Sequence, residues 1–115
     1  MGLSNTQRTL RALEQQGYLS GIVEKFNPYA KVRVDLFNFI DIISIKPCGI
    51  CAIQSCGSDF QEHDRKILKN EYAPEWIKAG GAIELWGWRK VKKKRGGKLK
   101  IWAPRLKIYK LEDFK

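Results

Sequence analysis

Apolar residues are densest over Asp41-Ile-Ile-Ser-Ile-Lys-Pro-Cys-Gly-Ile-Cys-Ala-Ile-Gln54-Ser-Cys56. The pattern predicts two strands joined by a turn at Lys46-Pro47-Cys48-Gly49, where proline at the second position and glycine at the fourth fit a type I turn. Centring the hairpin between Pro47 and Cys48 sets Ile45 opposite Ile50, Ile43 opposite Ala52 and Asp41 opposite Gln54. Directly opposed residues point to the same side of a sheet. An acid and an amide therefore meet on one face of an apolar hairpin, where a polar side chain is costly without a partner.

Upstream, Ser4 and Gln7 form a capping box for a helix that carries Leu10 and Leu13 on its apolar face and stops at Gly17. Gly21–Phe26 and Lys31–Val34 predict strands around the turn Asn27-Pro28-Tyr29-Ala30. Centring that turn sets Glu24 opposite Arg33 as a cross-strand ion pair, with a second role for Glu24 as an outer ligand or base beside Asp41. Residues 35–41 lead into the central hairpin. A helix capped by Ser58 or Asp59 follows Gly57, with Phe60, Ile67 and His63 as candidates for its inner side. Tyr72–Gly81 predicts a short helix with proline in its first turn. Ala82–Val91 is rich in strand formers, and a hairpin reverses at Gly96-Gly97 with Val91 facing Trp102. Pro104 is expected to break the strand, leaving a short one after Arg105. The expectation is one α/β domain over residues 1–115, with a core at 4–91 and a basic extension at 92–115.

A chain of 115 residues suits one hydrophobic core. No apolar run reaches the roughly 18–20 residues needed to cross a bilayer, and the first residues lack the features of a signal peptide. Three cysteines, an odd number, argue against a closed disulfide framework. The expected compartment is the cytoplasm. Charge sharpens the picture. Lys/Arg and Asp/Glu balance at ten each through Trp88, whereas residues 89–115 hold twelve Lys/Arg against Glu112 and Asp113, so the whole net charge of +10 lies there. Such a confined basic surface suits a polyanion, although solubility alone would also explain a lysine-rich hairpin. The candidate phosphate contacts are Arg89, Lys90, Lys92, Lys93, Lys94, Arg95, Lys98 and Lys100. Trp86, Trp88 and Trp102 stand beside them either as base-stacking platforms or as core or interface residues.

Asp41 and Gln54 together offer oxygen ligands to a hard cation such as Mg²⁺. Cys48-x2-Cys51-x4-Cys56-x6-His63 offers a competing zinc set, but strand alternation separates Cys51 from Cys56, leaving buried thiols as the better expectation. His63 is a candidate proton carrier or a plain helix histidine.

The order of these elements resembles the PD-(D/E)XK nuclease superfamily: a helix, three strands with an acid entering the second and a polar pair ending the third, a helix and a fourth strand. Asp35-Leu-Phe-Asn-Phe-Ile-Asp41, Ala52-Ile-Gln-Ser55, His63-x-Arg65-Lys66-Ile67, Trp76-Ile-x-Ala-Gly80 and Ile83-Glu-Leu-Trp-Gly-Trp-Arg-Lys90 look like small phage and bacterial members near the Holliday-junction resolvase and VRR-type nucleases. The resemblance implies a restriction-endonuclease-like αβββαβ core with a mixed sheet. It implies a metal held by Asp41, Gln54 and the Cys56 backbone carbonyl, with Ile40 in place of the motif's proline. Cys56 stands where the family keeps a catalytic lysine, and Lys66 or Arg65 on the next helix is the candidate replacement. The implied catalytic set is Asp41, Gln54, Lys66 and Glu24. The implied function is Mg²⁺- or Mn²⁺-dependent cleavage of DNA, on branched or phage DNA, by a protein that dimerises. The rivals are a catalytically inactive nucleic-acid-binding module on the same fold and a basic RNA- or ribosome-associated protein.

Overall fold

A computed structural model describes residues 3–47 and 49–114. Met1, Gly2, Lys115 and Cys48 lie outside the described residues, and with Cys48 the middle of the expected type I turn and one member of the zinc set.

Helix α1 (Asn5–Gln15) starts on the expected capping box: the Ser4 hydroxyl accepts from the Gln7 N–H, and the Gln7 side chain accepts from the Ser4 N–H. Gly17 ends it at φ +86°, a conformation that suits glycine. Strands β1 (Leu19–Ile22), β2 (Lys25–Asn27), β3 (Val32–Val34), β4 (Ile42–Lys46) and β5 (Gly49–Cys56) follow. Then come α2 (Phe60–Leu68), α3 (Ala73–Lys78), β6 (Ala82–Lys92), β7 (Lys100–Tyr109) and a closing 3-10 turn, Leu111–Phe114.

Five strands form one mixed sheet in the order β1-β4-β5-β6-β7, while β2 and β3 form a separate ribbon. All neighbours are antiparallel except β5 and β6. A parallel pair needs a crossover, and α2 and α3 supply it. Alternation along the strands sorts the side chains into two layers. Leu13 of α1 packs with Ile42, Cys51, Ile53, Trp86 and Trp88 on one face. Phe60 and Ile67 of α2 pack with Ala52, Ile83, Leu85 and Tyr109 on the other.

The central hairpin has the expected register, Ile43 opposite Ala52 and Ile45 opposite Ile50. The other two hairpins differ from expectation. In β2–β3, Phe26 faces Arg33 where the turn pattern implies Glu24, a shift of two residues in the pairing and of one in the centre of the reversal. Asn27 Oδ1 accepts from the N–H groups of Tyr29 and Ala30, which moves the reversal toward Ala30. In β6–β7, Lys90 faces Trp102 and Val91 faces Ile101. The turn sits at Lys94–Gly97 with Gly96 at φ +78°, so the reversal centres on Gly96 rather than between the two glycines. A slip of one residue carries Trp102 to the opposite face.

Pro104 does not break β7, because an edge strand has an outward side on which no N–H is required. Residues 100–109 therefore complete the sheet, and only the tip between Lys92 and Lys100 projects. Trp86 and Trp88 are core residues rather than stacking platforms: both are buried, and Trp88 Nε1 donates to Thr9 Oγ1 at 2.7 Å. Among the three tryptophans considered, Trp102 is the exposed one.

Candidate functional site

A cleft of about 440 Å³ opens where β5 ends and where α1 and α2 begin, lined by Ser4–Gln7, Gly57, Asp59 and His63 on its rim. Asp41 enters it from the residue before β4, fixed by its N–H bond to Ile53 O at 2.9 Å. The Asp41 carboxylate accepts from the Ser55 N–H at 2.9 Å and from the Ser55 hydroxyl at 3.4 Å. Asp35 accepts from Gln54 Nε2 at 2.9 Å. Glu24, just before β2, completes a trio of carboxylates whose oxygens lie within 4.8 Å of one another.

The loop between the two aspartates explains their meeting. Leu36 and Ile40 exchange backbone hydrogen bonds at 3.0 Å, with Phe37 and Asn38 at φ +53° and +67° between them. Phe39 and Ile40 are buried and anchor the closed loop against the core. Asp35 and Asp41 are thereby returned to the same point. The price is a bulky phenylalanine in a left-handed conformation, which is uncommon and mildly strained.

Packing three acids into a half-enclosed cleft has an electrostatic consequence. The Asp41 carboxyl is pushed up from 3.8 to about 8, first by burial, then by its hydrogen bond with Asp35, with the charges of Asp35 and Glu24 adding and the Ser55 amide opposing. Beside it, Gln54 is buried and its Oε1 has no hydrogen-bond partner among the described residues. An unpaired buried oxygen costs about 1–3 kcal/mol. Three clustered carboxylates and an unsatisfied amide oxygen fit a hard divalent cation, which takes oxygen ligands and relieves both penalties.

Cys56 lines the cleft as a neutral thiol, pushed up to about 12 by burial and then by Asp59 and Asp41. It supplies no charge at the position where the resemblance implies a lysine. Lys66 is exposed on α2 and is not among the cleft residues, while Arg65 lines a different pocket with Arg105 and Lys107. Among the described residues the lysine or arginine that does line the cleft is Arg33, with Nη1 3.3 Å from Glu24 Oε1. The expected Glu24–Arg33 ion pair is thus present, although the two are not directly opposed. His63 bonds to Asp59 through Nε2 at 2.9 Å on the cleft rim, and its buried Nδ1 has no partner among the described residues. Among the described residues the zinc set does not assemble, because Cys51 and Cys56 belong to opposite layers.

Arg33 was expected only as the ion-pair partner of Glu24, and Asp35 only as the first residue of a motif; neither was singled out by the sequence as a cleft residue. The signal for Asp35 was present in Asp35-Leu-Phe-Asn-Phe-Ile-Asp41, two acids bracketing an apolar run short enough to close on itself.

The basic hairpin stands at the same end of the sheet. Strands β5 and β6 run parallel with Cys56 beside Gly87, and β6 continues beyond that point to Lys92. Arg89, Lys90, Lys92, Lys93, Lys94, Arg95, Lys98 and Lys100 are all exposed there. Arg8 of α1 lies over the Trp102 ring at 3.8 Å, with the Lys90 ammonium 5.4 Å from the same ring. This cation–π contact ties the helix that borders the cleft to the base of the hairpin. No family model, curated protein or solved structure matches the chain.

Proposed function

We propose that the protein is a divalent-metal-dependent endonuclease that hydrolyses DNA phosphodiesters on a PD-(D/E)XK-type core. The order α1, β1, β4, β5, α2, β6 supports that core, with β2–β3 inserted between its first two strands. One observation carries the function: three carboxylates and the orphaned Gln54 oxygen converge in an open cleft at the same end of the sheet as the basic hairpin.

Glu24, Asp35, Asp41 and Gln54 Oε1 would hold Mg²⁺ or Mn²⁺, which when bound supplies charge stabilisation at the phosphate and a water of lowered pKa. The chain's own residues do the positioning. Ser55 orients the Asp41 carboxylate through its backbone N–H, and Asp35 orients the Gln54 amide. Lysines and arginines of residues 89–100 hold flanking phosphates by contacts that are independent of sequence and sensitive to salt. Branched or phage DNA as substrate, and two copies acting on two strands, belong to the same proposal. A second reading, a binding module that does not cut, is favoured by the neutral Cys56 thiol and by the placement of Lys66 outside the cleft.

The experiment compares linear, nicked, single-stranded and four-way-junction DNA with Mg²⁺ or Mn²⁺, using wild type, Asp35→Asn and Asp41→Asn. Cutting that depends on metal and is lost in both variants is the expected result. Salt-sensitive binding without cutting in all three proteins would refute the nuclease and leave the binding module.

A further inference from the structure

The β2–β3 ribbon has no place in either core cluster. All six of its strand residues are exposed, and a two-stranded ribbon on its own is marginally stable. Its exposed side chains are of two kinds. Phe26 is 59% exposed and Tyr29, at the turn, 97% exposed. Lys25, Lys31 and Arg33 supply three cations, and residues 25–34 contain no acid. An element of this composition standing free of the core is better suited to a partner than to packing.

Its position selects the partner. Phe26 pairs with Arg33, so their side chains share a face of the ribbon. Arg33 lines the acidic cleft, which places the Phe26 ring on the cleft side. A phosphate approaching three carboxylates is repelled, and cations at the mouth offset that repulsion. Aromatic rings stack on bases whose faces are free, which unpaired nucleotides offer and an intact duplex does not.

We propose that the β2–β3 hairpin is a single-strand-binding element that grips unpaired nucleotides beside the acidic cleft, with Phe26 and Tyr29 stacking on bases and Lys31 contacting a phosphate. This rests on nucleic acid being the ligand of that cleft, and it names the preferred form as one with unpaired nucleotides at the site.

The test is binding of a fluorescent oligothymidylate and a duplex of equal length to the full chain in EDTA, so that cleavage plays no part. Stacking contributes about 1–3 kcal/mol per base. Phe26→Ala with Tyr29→Ala should therefore weaken single-strand binding by about 10-fold or more, with duplex binding changed less than about 2-fold. Phe26→Trp should retain single-strand affinity. Lys31→Gln should reduce the salt slope for the single strand by about 0.7, the value of one phosphate contact. Equal losses on both ligands, or wild-type affinity in the alanine pair, would overturn the inference. So would a wild-type dimer in sedimentation that the alanine pair dissociates, since the ribbon would then be a protein interface. Absence of cleavage under every metal refutes the nuclease without altering this binding result. All three sites are exposed, so unchanged thermal melts identify an effect on binding rather than on folding.

Discussion

Replacing Asp41 by asparagine should stabilise the protein while removing a proposed metal ligand. Asparagine keeps an oxygen for the Ser55 N–H but cannot ionise. The wild-type carboxyl titrates near 8 in the folded state against 3.8 ordinarily, so between about pH 4 and pH 8 the folded chain holds a proton that the unfolded chain has released. Stability is then greatest below the ordinary value and falls as the pH rises through the interval. At about 1.4 kcal/mol per pKa unit, the full interval sets a ceiling of about 6 kcal/mol. Asp35 and Glu24 take part in the repulsion, and half that ceiling, about 3 kcal/mol at pH 8, is the expected gain for Asp41→Asn. At pH 4 the two proteins should be nearly equal. For a domain of this size the gain at pH 8 corresponds to about 10 °C in Tm. Urea denaturation of both proteins from pH 4 to pH 8.5 in EDTA measures it. A gap that is absent at pH 8, or the same size at every pH, would refute the argument that buried acid repulsion strains the site. Repeating the series with millimolar Mg²⁺ should stabilise wild type more than Asp41→Asn, because a ligand of the folded state adds its binding energy.

Three further outcomes follow from the packing. Lys46→Met should cost about 3 kcal/mol in denaturant titrations, because it leaves Glu84 buried without its ion-pair partner, now at 2.8 Å; adding Glu84→Gln should recover most of the loss. Gly87→Ala should cost about 2 kcal/mol by the same assay, since a Cβ there would overlap the Phe60 ring that closes the other face of the sheet. Replacing Lys93, Lys94 and Lys98 by glutamine should lower the log–log salt slope of duplex binding by about 2.7, at about 0.9 per contact, and an unchanged slope would remove the basic tip from the interface.

The central hairpin was legible because apolar alternation and turn chemistry agreed. A proline and a glycine in a short loop left one register that keeps Ile43 and Ala52 on the same face. The other hairpins gave weaker instructions. Two adjacent glycines can each take the left-handed turn position, and choosing Gly96 alone moves every pair by one. In β2–β3 a side chain, not the backbone pattern, displaced the reversal. Pro104 was misread because a proline's effect depends on whether the strand is paired on both sides, which one sequence does not reveal. The aromatic strand had the same ambiguity: Trp86 and Trp88 share a face, but only the position of α1 decides that this face is covered.

The site was half legible for a related reason. Asp41 and Gln54 follow from strand pairing, which obeys a fixed period. Asp35 arrives through a loop whose closure depends on Phe37 and Asn38 accepting left-handed conformations, and Lys66 fails to arrive because the phase of α2 turns it to solvent. What distinguishes the cleft from the rest of the surface is a convergence of unfavourable local choices. A bulky residue at positive φ, a carboxyl raised to about 8 and a buried amide oxygen without a partner among the described residues meet around Asp35 and Asp41: Phe37 lies in the loop between them, and the Gln54 amide donates to Asp35. Folding sequences are otherwise locally consistent, and departures from that consistency gather at functional sites. Each of these departures is a cost to the isolated chain. The carboxyl repulsion and the orphaned oxygen share a single remedy, a divalent cation between them, and the strained loop is the device that holds its two aspartates at the same place.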